Sequence, residues 1–354
     1  MSDLYAVAGP LLRCLSPETA HRAAIMALRS GLTPTDDSPP DPRLRTTLWG
    51  IDFPNPIGMA AGFDKNAEAF GGLMRTGFGF VETGTVTPRA QAGNPRPRLF
   101  RLTEDRAVIN RLGFNNQGLD AFAARLERRK RSDGILGANI GCNKDSEDQI
   151  ADYVTGYLRV ATLADYVVVN ISSPNTPGLR AMQAGDSLRR LIGALAEARA
   201  AVTEARPPLL VKVAPDLDHE ERRTVADVAL ETGVDGLIVG NTTVSRPEGL
   251  RSAHRDEAGG LSGKPLFDLS TAVLADFYGL CQGRLPLIGV GGVASGRDAY
   301  AKIRAGASLV QLYTALVYGG PGLVRRIKAE LAECLAADGI DHVGAAVGRD
   351  ARTR

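Results

Sequence analysis

A chain of 354 residues with 44% hydrophobic content can bury a large core, and its length fits one large α/β barrel or two ordinary domains. A formal net charge of +2 and 5% aromatic residues argue against a nucleic-acid binder that depends on a basic field and base stacking. Cys14, Cys142, Cys281 and Cys334 lie far apart with no CxxC or nearby His pair, which suggests neither a metal site nor a disulfide framework and fits a reducing cytosolic setting.

The chain opens on a predicted helical hairpin. Leu4, Ala8, Leu11, Leu12 and Leu15 recur at helical spacing, and Ser16-Pro17 offers an N-cap and a first helical position for a second helix ending near Gly31. Such a hairpin either packs on the rest of the chain or lies on a membrane or roofs a tunnel, and the pattern alone does not separate these. No apolar run reaches the roughly 18 to 20 residues of a membrane span, and the first residues lack the regions of a signal peptide. Thr33 to Pro42, rich in Pro, Asp and Ser, reads as a linker, so residues 1–38 are expected to form an N-terminal module and 39–354 the main domain. Leu44 to Phe53 reads as a short hairpin closing the bottom of that domain.

Eight short apolar runs follow: Ile57 to Ala61, Phe78 to Thr83, Ile135 to Ile140, Tyr166 to Asn170, Leu209 to Val213, Gly236 to Gly240, Pro286 to Val290 and Ser308 to Leu312. Each is near-continuously apolar, as a strand buried on both faces should be, and helical stretches separate most of them. The pattern predicts an α/β fold, a (β/α)₈ TIM barrel. An open doubly wound sheet would want a GxGxxG turn after its first strand, where Ala61 to Asn66 supplies none.

Polar residues gather at the strand ends: Lys65, Thr83 and Thr85, Asn139, Asn170, Lys212, Asn241, Gly291 with Gly292, and Tyr313 with Thr314. In a barrel these positions share one rim, which is where such enzymes place their sites. None of His21, His219, His254 and His342 closes a predicted strand, so acid–base chemistry is expected to do without histidine. The connection from Thr87 to Asn115 is long for a barrel loop; its six arginines read as solvated, while Asn110 and Asn115 are placed to fold over the mouth. The arginines between Arg125 and Arg131 read as an exposed helix face.

Two loops on this rim stand out. Val167 to Arg180 runs from an apolar strand into Ser-Ser-Pro-Asn-Thr-Pro-Gly, where Pro174 and Pro177 would stiffen a loop that aims Asn170, Ser173 and Asn175 at one ligand. Taken alone that string is ordinary turn chemistry; its place as the fourth of eight polar strand ends favours a site. Gly289 to Gly296 reads either as a tight strand-to-helix turn or, with the amides after Tyr313, as a phosphate cradle.

Ala60 to Lys65, Gly93 to Arg98, Ile109 to Asn115, Asn170 to Arg180, Gly260 to Pro265 and Val310 to Thr314 together resemble, in order, the pattern of dihydroorotate dehydrogenases of the membrane-associated, quinone-using class. The resemblance runs from the N-terminal hairpin to about Gly348. It implies oxidation of dihydroorotate to orotate in pyrimidine biosynthesis, with one FMN per chain and a quinone, ubiquinone or menaquinone, as final acceptor. Carried over by position, it implicates Ala61, Gly62, Lys65, Thr85, Asn139, Asn170, Lys212, Gly240, Gly263, Gly292, Tyr313 and Thr314 at the flavin. It places Lys65, Asn110, Arg111, Leu112, Gly113, Phe114, Asn170, Asn175, Asn241 and Thr242 at the substrate. Ser173 matches the base that takes the C5 proton, a position held by cysteine in the soluble class; His21, Arg101 and Tyr313 match the quinone route. Gly240 stands where the family more often carries threonine, so one flavin-side hydroxyl contact is expected to be missing or replaced by water. The lack of a targeting presequence or spanning anchor suggests a bacterial enzyme held peripherally at the cytoplasmic face of the inner membrane, and a monomer is expected. The competing reading within the family is a soluble, fumarate- or NAD-linked enzyme, against which Ser173 and the hairpin both speak.

Overall fold

A computed structural model describes residues 4–176, 178–202 and 206–351, so Pro177 and the side chains of Leu4 and Ala8 lie outside the described part. The predicted hairpin forms as α1 (Leu4–Cys14) and α2 (Pro17–Arg29). Ser16 caps α2, its Oγ accepting from the Thr19 amide at 3.3 Å, and Pro17 sits where a missing N–H costs nothing. A short antiparallel ribbon, β1 (Thr46–Leu48) and β2 (Ile51–Phe53), follows.

Eight parallel strands then close on themselves, with helices outside. In chain order come β3 (Ile57–Met59), α3 (Phe70–Arg75) and β4 (Phe80–Val86), then the ribbon strands β5 (Leu99–Leu102) and β6 (Ala107–Asn110). Next are α4 (Leu119–Leu126), β7 (Ile135–Ile140), α5 (Gln149–Val160), β8 (Tyr166–Asn170), α6 (Gly185–Ala201) and β9 (Leu209–Val213). After α7 (His219–Thr232) and β10 (Gly236–Val239), β11 (Gly260–Gly263) leaves the barrel wall before α8 (Phe267–Leu280) and β12 (Leu287–Val290). The chain finishes through α9 (Gly296–Arg304), β13 (Ala307–Leu312), α10 (Ala315–Gly319) and α11 (Leu323–Ala337). Strands β3, β4, β7, β8, β9, β10, β12 and β13 form the closed barrel, all eight within the runs predicted for them or within three residues of those bounds.

The barrel interior is layered. Phe80, Tyr166, Val168, Leu210, Ile238, Ile288 and Leu309 fill its lower end, and Phe53 and Trp49 of the β1–β2 ribbon pack against them as a plug. Phe53 meets Phe80 edge to face with ring centres 5.4 Å apart. Glycines make room for the large rings: a Cβ at Gly58 would lie 2.2 Å from Phe80, and one at Gly137 2.2 Å from Tyr166. A second and larger apolar shell seats the helices on the outer face of the strands.

Three expectations need correction. The second barrel strand runs on to Val86, so Thr83 lies inside the wall, its hydroxyl donating to Gly137 O at 3.2 Å, and only Thr85 is near the rim. The long connection after β4 is a folded ribbon: β5 and β6 pair antiparallel, and β11 adds to β6 from about 150 residues further on. Its arginines are not all solvated, since the Arg98 side chain is 7% exposed and pairs with Glu18 of α2 at 2.8 Å. Nor is the Arg125–Arg131 cluster simply exposed. The Arg129 side chain is 5% exposed, bonded to Asp165 and to the carbonyls of Leu163 and Gly134, and its guanidinium lies over the Phe70 ring.

Candidate active site

Side chains alternate along a strand, so the residue two places beyond each floor residue points into the same barrel interior, one layer higher. In that upper layer the chemistry changes: Phe80 gives way to Glu82, Val168 to Asn170, Leu210 to Lys212 and Leu309 to Gln311. Glu82 is fully buried and its carboxylate is met on several sides. Asn139 Nδ2 donates to it at 2.7 Å and Gln311 Nε2 at 2.6 Å, while Lys212 Nζ stands 3.9 Å away. Burial lowers the pKa of Lys212 and the Glu82 charge opposes that shift. A buried carboxylate without such partners would be costly, which is why the four polar side chains occur together.

From this anchor a hydrogen-bonded line climbs to the rim. Thr85 Oγ1 donates to Asn139 Oδ1 at 2.5 Å, Asn170 Nδ2 to Thr85 Oγ1 at 2.8 Å and Ser172 Oγ to Asn170 Oδ1 at 2.9 Å. Asn241 Nδ2 closes the line on Ser172 Oγ at 2.8 Å. Each amide is thereby held in one orientation across the ends of β4, β7, β8 and β10.

Ser173 follows at once, 7% exposed, its Oγ accepting from the Asn175 amide at 3.3 Å. Arg180 staples this loop: Nε donates to Ser172 O at 3.1 Å, Nη2 to Thr242 O at 3.1 Å, and Nη1 pairs with Asp216 at 2.8 Å. Asn175 Nδ2 reaches Asn110 Oδ1 at 3.3 Å, which joins the β8 loop to the end of β6. Asn94 ties the same parts from the other side, donating to Arg111 O at 3.0 Å and Asn175 O at 3.4 Å. The Arg111 guanidinium is turned to Glu257 at 2.8 Å and to the Phe100 ring, so what Arg111 can offer a ligand is backbone. Phe114 holds a φ of 52°, a left-handed conformation that is uncommon for a bulky side chain and concentrates at functional sites. Thr242 Oγ1 and Asn115 Oδ1 are buried without a partner. At the barrel mouth, such an atom has bonding capacity left for a ligand.

Around the same barrel end lie glycine backbones. Gly292 has a φ of 76°, and a Cβ there would stand 2.5 Å from Phe267 Cα; Gly263 has a φ of 98°, with Thr314 Oγ1 hydrogen-bonded to neighbouring Ser262 Oγ at 2.8 Å. Gly240 has a φ of 122°, and a Cβ would fall 2.5 Å from Val290 O, so this backbone leaves no room for a threonine side chain. Lys65 Nζ donates to Gly62 O at 2.6 Å; burial, and then the charge of Arg98, push its pKa down to about 8.

His21 of α2 forms an aromatic group with Phe63 and Tyr313. Ring centres are 5.1 Å apart for His21–Phe63 and 5.4 Å for Phe63–Tyr313. Burial and the nearby Lys65 charge push the His21 pKa down to about 3, so the imidazole is neutral. Arg101 turns to the α1–α2 corner, donating to Arg13 O at 2.8 Å and to Leu15 O. Ala61, Gly62, Lys65, Thr85, Asn139, Asn170, Lys212, Asn241, Tyr313 and Thr314 thus lie in or at the upper end of one barrel.

A sequence model described as dihydroorotate dehydrogenase matches residues 43–335. The chain belongs to the dihydroorotate dehydrogenase family. It is 60% identical to a dihydroorotate dehydrogenase (quinone) of Azorhizobium caulinodans, over 99% of this chain and 100% of that one. It is 53% identical to the mitochondrial dihydroorotate dehydrogenase (quinone) of Mus musculus, over 97% of this chain and 89% of that one. The crystal structure of the Eimeria tenella enzyme in complex with ferulenol superposes with a TM-score of 0.91 at 47% identity, covering 95% of this chain and 96% of that one. The similarity is therefore to the quinone-linked class of this flavin-dependent family. Glu82, Gln311, Ser172 and Arg180 escaped the sequence reading. Glu82 carried a signal, being a charged residue inside an apolar run.

Proposed function

We propose that the chain oxidises dihydroorotate to orotate in pyrimidine biosynthesis and passes the electrons to a membrane quinone. The observation that carries the site assignment is the convergence of Ser173, Asn110, Asn175 and Asn241 on one barrel mouth, with Thr242 Oγ1 left unpaired beside them.

The residues present fit FMN. Gly62, Gly263 and Gly292 offer bare backbone at positive φ, Thr85, Asn139 and Asn170 form a fixed polar wall, and Lys212 and Lys65 bring positive charge. One FMN held there by Ala61, Gly62, Lys65, Thr85, Asn139, Asn170, Lys212, Gly240, Gly263, Gly292, Tyr313 and Thr314 supplies, when bound, a two-electron acceptor for the hydride from substrate C6. Gly240 contributes backbone only. The substrate's amide edges face Asn110, Asn175, Asn241 and Thr242, the backbone of Arg111, Leu112 and Gly113 and the Phe114 ring line the pocket, and Lys65 opposes the carboxylate. Ser173 Oγ takes the C5 proton. A serine is a weak base, so the near-exclusion of water and the hydrogen bonds that fix the developing charge on the ring must supply what a histidine would.

For the second half-reaction we assign His21, Arg101 and Tyr313 to the quinone side. Neutral His21 and the rings around it give an apolar approach from α2. Leu11, Leu15, Met26 and Leu32 of the hairpin and its exit are exposed apolar side chains, which supports peripheral attachment to a lipid surface, in a bacterium the cytoplasmic side of the inner membrane. No helix among the described residues is long and apolar enough to cross a membrane. We treat residues 1–38 as the quinone module, 39–354 as the catalytic barrel, and the enzyme as a monomer. Deleting residues 1–38 is expected to abolish quinone reduction while dihydroorotate still bleaches the flavin anaerobically; unchanged quinone turnover would refute the assignment.

A further inference from the structure

The glycine cradle after β12 leaves one buried cation without a role. Lys302, on α9, is fully buried, and burial pushes its pKa down to about 7. Among the described residues it has no ion-pair partner; Asp298 and Asp268 act on it only at longer range. Its Nζ donates to Ser270 Oγ at 2.6 Å and stands 5.2 Å from the centre of the Phe267 ring. Ser270 Oγ lies 3.1 Å from both Gly291 O and Phe267 O; Phe267 O already accepts from Thr271 Oγ1 at 2.7 Å, which leaves Gly291 O as the acceptor that the single Ser270 proton serves.

The Gly291 carbonyl and the Gly292 N–H are two ends of one peptide group. In a trans peptide they point in opposite directions, so a carbonyl turned to Ser270 sends the Gly292 N–H the other way. A hydrogen bond to the carbonyl, itself strengthened by an ammonium behind the hydroxyl, polarises the whole group and makes that N–H a better donor. A buried ammonium lacking a counterion is costly, and an anion received on the far side of the peptide offsets that cost. Position 292 must also remain glycine, because a Cβ would reach the Phe267 backbone.

We propose that Lys302 and Ser270 form a relay that holds and polarises the Gly292 N–H for the flavin's phosphate, with Lys302 providing the balancing positive charge. Lys302 is thus a positioning residue for the phosphate end of the cofactor, remote from the reacting atoms. The proposal rests on the flavin reading of the barrel mouth. A purely structural lysine would affect any flavin alike; this relay acts on the phosphate alone.

The test uses the full-length protein loaded with FMN or with riboflavin, which lacks the phosphate, and follows flavin release by the rise in fluorescence. Lys302→Met keeps the bulk and removes the charge; it is expected to weaken FMN retention about tenfold, roughly 1.4 kcal/mol, while riboflavin retention changes less than about twofold. Ser270→Ala keeps the charge and cuts the relay, with an FMN-selective loss of about threefold expected. It carries the test if Lys302→Met does not fold. Equal loss of both flavins, or no loss of FMN in either variant, would overturn the relay while leaving the flavin site standing. Wild-type protein that retained neither flavin would overturn the flavin reading and the relay with it.

Discussion

The lower and upper halves of the barrel interior are built from the same strands, two residues apart, and have opposite chemistry. Below, Phe80, Tyr166, Leu210, Ile288 and Leu309 close around Phe53 without a charged group. Above, Glu82, Asn139, Asn170, Lys212 and Gln311 are almost as deeply buried, yet each is hydrogen-bonded or charge-paired. Burial alone therefore does not separate scaffold from site here; the kind of atom buried does. The floor lowers the free energy of the fold by removing apolar surface from water, and the upper layer spends part of that stability on fixed dipoles at the barrel mouth.

The largest effect that sharpens this contrast is expected above the upper layer. Ser173→Ala should slow single-turnover flavin reduction by about 10² to 10⁴ while leaving orotate affinity nearly unchanged, the range general-base removal commonly gives. A near-normal rate in stopped flow would take Ser173 out of the role. Next, Phe80→Ala in the floor should cost about 3 to 5 kcal/mol in denaturant unfolding with ligand affinity of the folded protein intact. Glu82→Gln, one layer higher, should cost less, about 1 to 3 kcal/mol, yet change the flavin spectrum, because Asn139 and Gln311 lose a full carboxylate acceptor. Reversal of that order would break the distinction between the two layers.

The smallest effect concerns pH. A carboxylate ligand binds best when Lys65 is charged, and the free protein holds that ammonium at a pKa of about 8. Orotate affinity should be flat below about pH 8 and fall by up to about tenfold per unit above it, a slope that Lys65→Met abolishes. Titration at fixed ionic strength reads this directly, and a wild-type profile flat to pH 10 would exclude Lys65 from that part.

The barrel was legible because doubly buried parallel strands read as apolar runs, and the α2 boundary because Ser16-Pro17 carries its capping chemistry in two letters. The β5–β6–β11 sheet was not, since β11 is only Gly-Leu-Ser-Gly and its partner lies about 150 residues earlier. Arg98 reads as solvated because the carboxylate that accepts it, Glu18, sits 80 residues away on α2. Glu82 reads as one more residue of a strand, although a charge in an apolar run is where this barrel interior turns polar. Rim residues such as Thr85 and Asn241 were visible as strand-end polar groups, whereas the hydrogen bonds that orient them are set by side chains meeting across the barrel.

The most direct test of the account is a two-stage anaerobic experiment on the full-length protein. Dihydroorotate is added and flavin bleaching recorded, then reoxidation is followed with ubiquinone, menaquinone, fumarate and NAD in turn. The account predicts rapid bleaching, and rapid reoxidation by a quinone but not by fumarate or NAD. A protein that does not bleach, or one reoxidised by fumarate or NAD in preference to a quinone, would contradict it.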